Sequence, residues 1–259
     1  MSSDTIQVNF GTPKGLFPLN GTMLMPHGIL PLHVFEPRYR QLVADALAAG
    51  EGRSADADED DVDADDSEGG KSSGGQIAMA TFHGDQWQHE YHGRPAIRPV
   101  VCLGQIMQHA ELPDGSYGIV LQGLCRARIV EELPPDDDVL YRRAMLRPLD
   151  VTAPDEEALE GFRRRITEAI EGDRLGDLRG AEGMLEHLKN DEIPSSALFD
   201  VLGFQFIQSD HETRYKLLAC DDAEERAQIV THELLDIQNL LRRAHSQRLV
   251  ETPKGCNWN

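Results

Sequence analysis

Cysteine is scarce in this 259-residue chain: Cys102, Cys125, Cys220 and Cys256 lie far apart, and none forms a C-x-x-C pair. That usage argues against a disulfide frame or a zinc site and predicts reduced thiols. Cys102 and Cys125 fall in strand-like stretches, where a thiol serves as a small buried hydrophobe. Long apolar runs are missing as well, since no stretch approaches the roughly 18 residues that cross a bilayer. Met1-Ser2-Ser3-Asp4 carries neither the basic nor the apolar region of a secretory leader. The expectation is a cytoplasmic protein with no membrane partner. Positive charge is in deficit too, with 25 Lys and Arg against 45 Asp and Glu, a formal charge of -20. A phosphate backbone or an anionic surface would be repelled, so nucleic acid is not an expected partner.

Residues 51–75 hold ten Asp or Glu, two basic residues and only Val62 as a sizeable apolar group. Such a segment cannot offset the entropy of ordering and is expected to be a disordered acidic insertion. Without its charge of -8 the remainder still carries about -12, by subtraction from the whole-chain charge. From Ile77 to Leu149 the pattern is strand-like. Pro113-Asp114-Gly115-Ser116 supplies turn chemistry between two apolar runs and predicts a hairpin. In Cys125-Arg126-Ala127-Arg128-Ile129 small or apolar residues alternate with arginines, which predicts a strand with its arginines on a solvated face.

After Asp150 the period changes to about 3.6. Thr152-Ala153-Pro154-Asp155 has the form of a capping box ahead of Leu159, Phe162, Ile166 and Ile170 on one helical face. Residues 195–207 are apolar on several sides, as a central helix would be. Ser209-x-x-Glu212 and Asp222-x-x-Glu225 announce two more helices, the last carrying Val230, Leu234, Ile237 and Leu241 on its packing seam. Three parts follow: a β-rich part over 1–150, a helical part over 151–248 and a flexible tail over 249–259.

The most distinctive stretch is Leu16-Phe17-Pro18-Leu19, continued by Pro31-Leu32-His33-Val34-Phe35-Glu36-Pro37-Arg38-Tyr39-Arg40. Proline-broken strands run here into a helix that opens at Pro37, a first helical position where a missing N–H costs nothing. Tyr39, Leu42, Val43, Ala46 and Leu47 form one apolar stripe, and Gly50 stands where a left-handed cap would end the helix. This string closely resembles the opening of the Lon-protease N-terminal (LON substrate-binding) domain, particularly its stand-alone bacterial form. Gln76-Ile77-Ala78-Met79-Ala80, the hairpin at 112–117 and Gly123-Leu124-Cys125-Arg126-Ala127-Arg128-Ile129 resemble the family's later strands. The matching positions are Pro18, Leu19, Pro31, Leu32, Phe35, Glu36, Arg38, Tyr39, Gly123, Arg126 and Arg128.

Other constellations are weaker. Gly70-Lys71-Ser72 looks like the end of a phosphate-binding loop, but Asp65 occupies the required glycine position amid carboxylates that oppose triphosphate. His83, His89 and His92 surround Trp87 in a stretch broken by Gly84, Gly93 and Pro95, and read as surface histidines rather than a metal site. Asp56, Asp58 and Asp60 alternate like a calcium loop, yet Asp61 and Ser67 stand where glycine and a bidentate Glu are needed. Glu36 and Arg38 have neither nucleophile nor oxyanion site beside them. They read as structural, Glu36 meeting the positive helix end and Arg38 and Tyr39 tying the helix to the sheet.

The resemblance implies an α+β protein, a PUA-like β pseudobarrel followed by an α-helical bundle. It further implies a non-catalytic module without cofactor or metal that binds unfolded or tagged polypeptides, and a protease as a further partner. Full Lon proteases add an ATPase module and a Ser/Lys peptidase domain, and neither is seen here up to Asn259. Two alternatives stand beside this: an RNA-binding PUA-like protein using Arg126, Arg128, Arg142 and Arg143, and a small hydrolase.

Overall fold

The computed structural model describes residues 6–55, 74–84, 86–89, 93–172, 174–177, 180–207 and 211–249. Most of the acidic stretch at 51–75, His92, Ser209, Cys256 and the tail beyond Leu249 lie outside the described residues. The chain divides into two units, Met1–Thr152 with His211–Asp221, and Ala153–Asp210 with Asp222–Asn259. Among the described residues no helix is long and apolar enough to cross a membrane.

The first unit holds six strands, β1 (Lys14–Leu19), β2 (Ile29–Val34), β3 (Gln76–Thr81), β4 (Val100–Glu111), β5 (Tyr117–Glu132) and β6 (Arg142–Pro148). Helix α1 (Pro37–Ala55) lies between β2 and β3. Strand order is β2-β5-β4-β3-β1-β6, and β5 also pairs with β6, so that β5, β4, β3, β1 and β6 close a hydrogen-bonded ring. Only β1 and β3 run parallel, because β2 and α1 supply the long crossover that parallel neighbours need. With 16 residues, β5 is about 50 Å long. One of its edges serves β4, while the other is divided between β2 at Tyr117–Gln122 and β6 at Ala127–Glu132.

Gly123 sits at the changeover. A Cβ there would stand 2.0 Å from the Met25 carbonyl oxygen, so the chain before β2 approaches β5 at a distance only glycine permits. Its N–H donates to the Gly28 carbonyl and its own carbonyl accepts from His27, both at 2.9 Å. Leu16, Ala78, Ala80, Val101, Leu103, Ala127, Ala144 and Leu146 form a buried core cluster. Four alanines among them fit the small interior of a narrow ring, where large side chains on every strand would clash.

Tyr39, Leu42, Val43 and Ala46 are buried, as the apolar stripe of α1 predicts. Gly50 does not end α1, which continues to Ala55. Gly50 is itself buried, and glycine inside a helix lowers its stability by about 1 kcal/mol without breaking it. The hairpin forms as predicted: Leu112 N–H donates to the Ser116 carbonyl at 2.8 Å, and Gly115 takes the left-handed conformation at φ 74°.

Arg126 is a correction. Its side chain is 1% exposed, not solvated; Nε–H donates to the Leu217 carbonyl and Nη1 meets Asp150, both at 3.3 Å. The partner carbonyl belongs to α5 (His211–Ala219), 91 residues downstream. A single boundary near 150 assigns α5 to the helical part, whereas the structure seats it on the strands. Arg214 Nη2 donates to the Met23 carbonyl, Val100 N–H donates to the Tyr215 hydroxyl, and Arg98 pairs with Glu212 while lying over the Tyr215 ring.

The second unit comprises α2 (Glu156–Gly172), α3 (Ala181–Leu188), α4 (Ser195–Phe206) and α6 (Ala223–Leu249). Leu159, Ile166 and Ile170 are buried as their spacing predicts. The cap of α2 is Asp155, whose Oδ1 accepts from Ala158 N–H at 3.2 Å, and not Thr152, because the helix begins at Glu156. Asp222 caps α6 as expected, accepting from Glu224 and Glu225 at 2.8 and 3.0 Å. Buried Arg163 replaces an apolar anchor: it donates to the carbonyls of Leu188, Ile193 and Asn190 and thereby stops the end of α3 and its following turn against α2. Arg226 and Asp200 form an ion pair at 3.2 Å, each side chain 7% exposed.

Arg126→Ala strips the Leu217 carbonyl and Asp150 of their guanidinium and is expected to lower stability by about 3 kcal/mol, read as a fall in the urea unfolding midpoint. Gly123→Ala meets backbone, which cannot rotate aside, and is expected to cost at least about 2 kcal/mol in the same measurement.

Candidate functional site

The proline in β2 sets the character of this edge. Gly123 N–H donates to the Gly28 carbonyl, and antiparallel alternation then points the amide groups of Leu30 and Leu32 at β5. Ile29, Pro31 and His33 turn theirs to the open side, where β2 has no neighbour in the strand order. Pro31 has no N–H, so it interrupts that open ladder and discourages indefinite strand addition.

Side chains on the outer face are unusually apolar for their exposure. Ile29 is 51% exposed and Phe35, just past the strand, is 64% exposed. Pro31 and His33 are exposed between them, and Val120 of β5 stands opposite Pro31. Met107 in the β4 bulge and Leu112 at the hairpin border this corner at 46% and 39% exposure. Of the nine large apolar side chains well exposed among the described residues, these four belong to one corner of the sheet. Scattered apolar exposure needs no explanation, but a contiguous patch does. From Ile29 to Phe35 it extends about 20 Å, enough to lie along six residues of extended chain.

The corner is held in place by polar contacts rather than by a core. Arg40 of α1 donates to the carbonyls of Asp114 and Gly115, at 3.3 and 3.2 Å. Ser116 Oγ donates to Asp114 Oδ1 at 2.6 Å and lies 2.9 Å from His33 Nε2. Serine, histidine and aspartate thus meet, yet in an order that does not make a nucleophile. The one hydroxyl proton of Ser116 is given to the carboxylate, so His33 Nε2 must carry the hydrogen of the second bond and is no base toward that oxygen. Hydrogen bonds from the Ser116 hydroxyl and amide also hold the Asp114 carboxyl below its ordinary value. The trio is a clasp between β2 and the hairpin.

The motif residues fall into three groups. Pro18, Arg38, Tyr39 and Glu36 converge at the start of α1: Tyr39 O–H donates to the Pro18 carbonyl at 3.4 Å, Arg38 Nε donates to Glu36 at 3.0 Å, and Arg38 lies 4.6 Å from the Tyr39 ring centre. The Glu36 carbonyl accepts from Tyr39 and Arg40, opening the helix. Pro31, Leu32 and Phe35 belong to the β2 corner, and Leu19 ends β1. Gly123, Arg126 and Arg128 lie along β5, Gly123 where the chain enters β2 and the two arginines farther along the strand. Sequence reasoning missed Ile29, Met107 and Leu112. The available signal was that β2 is apolar at both odd and even positions although Pro31 marks it as an edge.

The arginines considered for RNA do not form an exposed stripe. Arg126 is buried, Arg142 is held by Glu132, Arg143 pairs with Asp136 at 2.8 Å, and Arg128 is half-buried. His83 and His89 are exposed, and no cluster of metal-ligating residues occurs among the described residues. Burial pushes the Cys125 thiol up to about 11, aided by Asp150, which makes it a poor nucleophile at neutral pH.

Because the folded Asp114 carboxyl is held low, its contribution to hairpin stability is present above the ordinary value of 3.8 and is lost as pH falls through the folded value. Carboxyl-carbon NMR titration should place Asp114 below 3.8 in the native chain and move it upward in Ser116→Ala.

Among the solved structures similar to this chain are two Lon N-terminal domains. The N-terminal domain of a Mycobacterium avium complex Lon protease matches with a TM-score of 0.57 at 14% identity, covering 87% of this chain and 99% of that one. A Lon N-terminal domain protein from Xanthomonas campestris matches with a TM-score of 0.48 at 18% identity, over 84% and 95% of the two chains. The first likeness shows a shared fold. No curated protein matches the sequence. The family model of the ATP-dependent protease La (LON) substrate-binding domain matches residues 15–236, nearly the whole described chain, and the protein belongs to that family.

Proposed function

We propose that this chain is a non-catalytic polypeptide-binding module that holds unfolded or tagged chains through the exposed β2 corner. The observation that carries the reading is the grouping of Ile29, Phe35, Met107 and Leu112, all well exposed, on one corner of the sheet. Covering such a surface is driven by removal of apolar area from water and imposes no strict sequence code. The clasp of His33, Ser116 and Asp114 and the Arg40 contacts keep the corner presented without a ligand, which lowers the ordering cost of binding.

In this reading the closed strand ring is a PUA-like pseudobarrel and α2, α3, α4 and α6 form a helical bundle. The module acts in the cytoplasm as an adaptor or regulator of proteolysis, delivering clients to a protease supplied by another chain. Membership of the substrate-binding family supports the client class, and the exposed corner supports its location.

Fluorescence anisotropy with a labelled, permanently unfolded protein is the test. The native chain should bind below about 100 μM, which corresponds to roughly -5.5 kcal/mol. The double variant Ile29→Ser, Phe35→Ser should bind at least about tenfold more weakly with little change in the unfolding midpoint, because both side chains are more than half exposed. Absence of any affinity in the native chain up to that concentration would sink the reading.

A further inference from the structure

A cleft of about 390 Å³ opens beside β1, the first turn of α1 and the 135–141 loop, and none of the four apolar residues of the β2 corner lines it. Its apolar lining comes from Pro18, Tyr39, Val139 and Leu140, and Leu140 is 59% exposed there. Three arginines, Arg38, Arg94 and Arg142, share the wall with a single carboxylate, Asp136. That carboxylate is taken by Arg143 from outside the lining, at 2.8 Å.

The arginines are built into place. Arg142 grips Glu132 with Nε and Nη2 at 2.9 and 2.6 Å and donates through Nη1 to the Pro95 carbonyl at 2.6 Å. Arg94 uses Nη2 alone, on the same Glu132 and on the Leu133 carbonyl, both at 3.2 Å. Glu132 therefore balances one of two guanidinium charges, and Arg94 keeps its Nε and Nη1 hydrogens for another acceptor. Gln41 fixes the opposite wall, accepting from Leu140 N–H at 2.8 Å and donating to the Asp138 carbonyl at 2.7 Å.

Arg38 is balanced by Glu36 at 3.0 Å, so the unbalanced charge is the single one that Arg94 and Arg142 leave over Glu132. One positive charge beside an apolar floor selects a ligand with an apolar body and one anionic head. Guanidinium forks match a carboxylate in particular. The chain's charge of -20 disfavours multiply charged anions far more than a single carboxylate. The volume lies at the low end for ligand pockets, roughly 300–1,000 Å³, and suits a terminal residue rather than a running segment.

We propose that this cleft receives the C-terminal residue of a polypeptide client, its carboxylate on Arg94 and Arg142 and its apolar side chain against Tyr39, Pro18 and Leu140. The proposal rests on the polypeptide-binding reading and adds a preference for free chain ends. It also gives Pro18, Arg38 and Tyr39 a role beyond opening α1.

The test compares a labelled twelve-residue peptide ending in leucine, as free acid and as C-terminal amide, by anisotropy at 0.15 M salt. The acid should bind the native chain about tenfold more tightly, as one charge-assisted contact implies. Arg94→Gln, at a position 38% exposed, should remove that difference without changing the unfolding midpoint. Leu140→Ser should weaken both peptides while leaving their ratio intact. Equal binding of acid and amide by the native chain overturns the proposal, as does a preference that survives Arg94→Gln. So does failure of both peptides to bind while the unfolded protein binds. Failure of the unfolded protein itself is the separate failure of the underlying reading.

Discussion

One long strand with only two edges governs the first unit. β5 gives one edge to β4 and must divide the other between β2 and β6. Its second half completes a closed ring, which needs no further neighbour, while its first half projects beyond the ring and carries β2 as a last strand. Closure disposes of the exposed amide groups where the strands run within the ring, although the second half of β4 projects beyond it with β5. The projecting half has no such solution. Proline at position 31 and the clasp at the hairpin manage it instead, and apolar side chains remain in water there.

The same division explains the glycine and the buried arginine. At Gly123 the chain entering β2 crosses within van der Waals contact of β5, so any Cβ would collide with the Met25 carbonyl. Three residues on, Arg126 reaches from the ring to α5 and satisfies a carbonyl at the end of that helix. A buried guanidinium is costly unless it is paired, and here Asp150 and Leu217 supply the acceptors. Arg163 performs the comparable task in the second unit, where it gathers the carbonyls of Leu188 and Asn190 at the end of α3 and in its following turn. Each unit is thus organised around an arginine where an apolar pattern alone suggests a leucine or a solvated face.

Much of the element order was legible. The hairpin at Pro113–Ser116, the start of α1 at Pro37 and the cap at Asp222 follow from turn and cap chemistry that acts over four residues. The apolar stripes of α1 and α2 likewise mark buried faces. Helix α3 was not legible, because Gly180, Gly183 and its eight-residue length leave too little periodic signal. The candidate site was legible only in outline. The motif drew attention to Pro31 and Phe35, but it gave no means of separating them from Val34, which is buried.

The sequence by itself determined most of the strands and helices, the apolar stripes of α1 and α2 and the family, since these depend on residues near one another along the chain or on a string of motif positions. Tertiary structure alone decided that the strands close on each other, that α5 returns to the strand ring, that Arg126 is buried while Phe35 is exposed, and that three arginines meet over an apolar floor. Phenylalanine in a strand pattern reads the same whether or not something covers it. What covers it is settled by contacts between residues as much as 191 positions apart, and no local period records those.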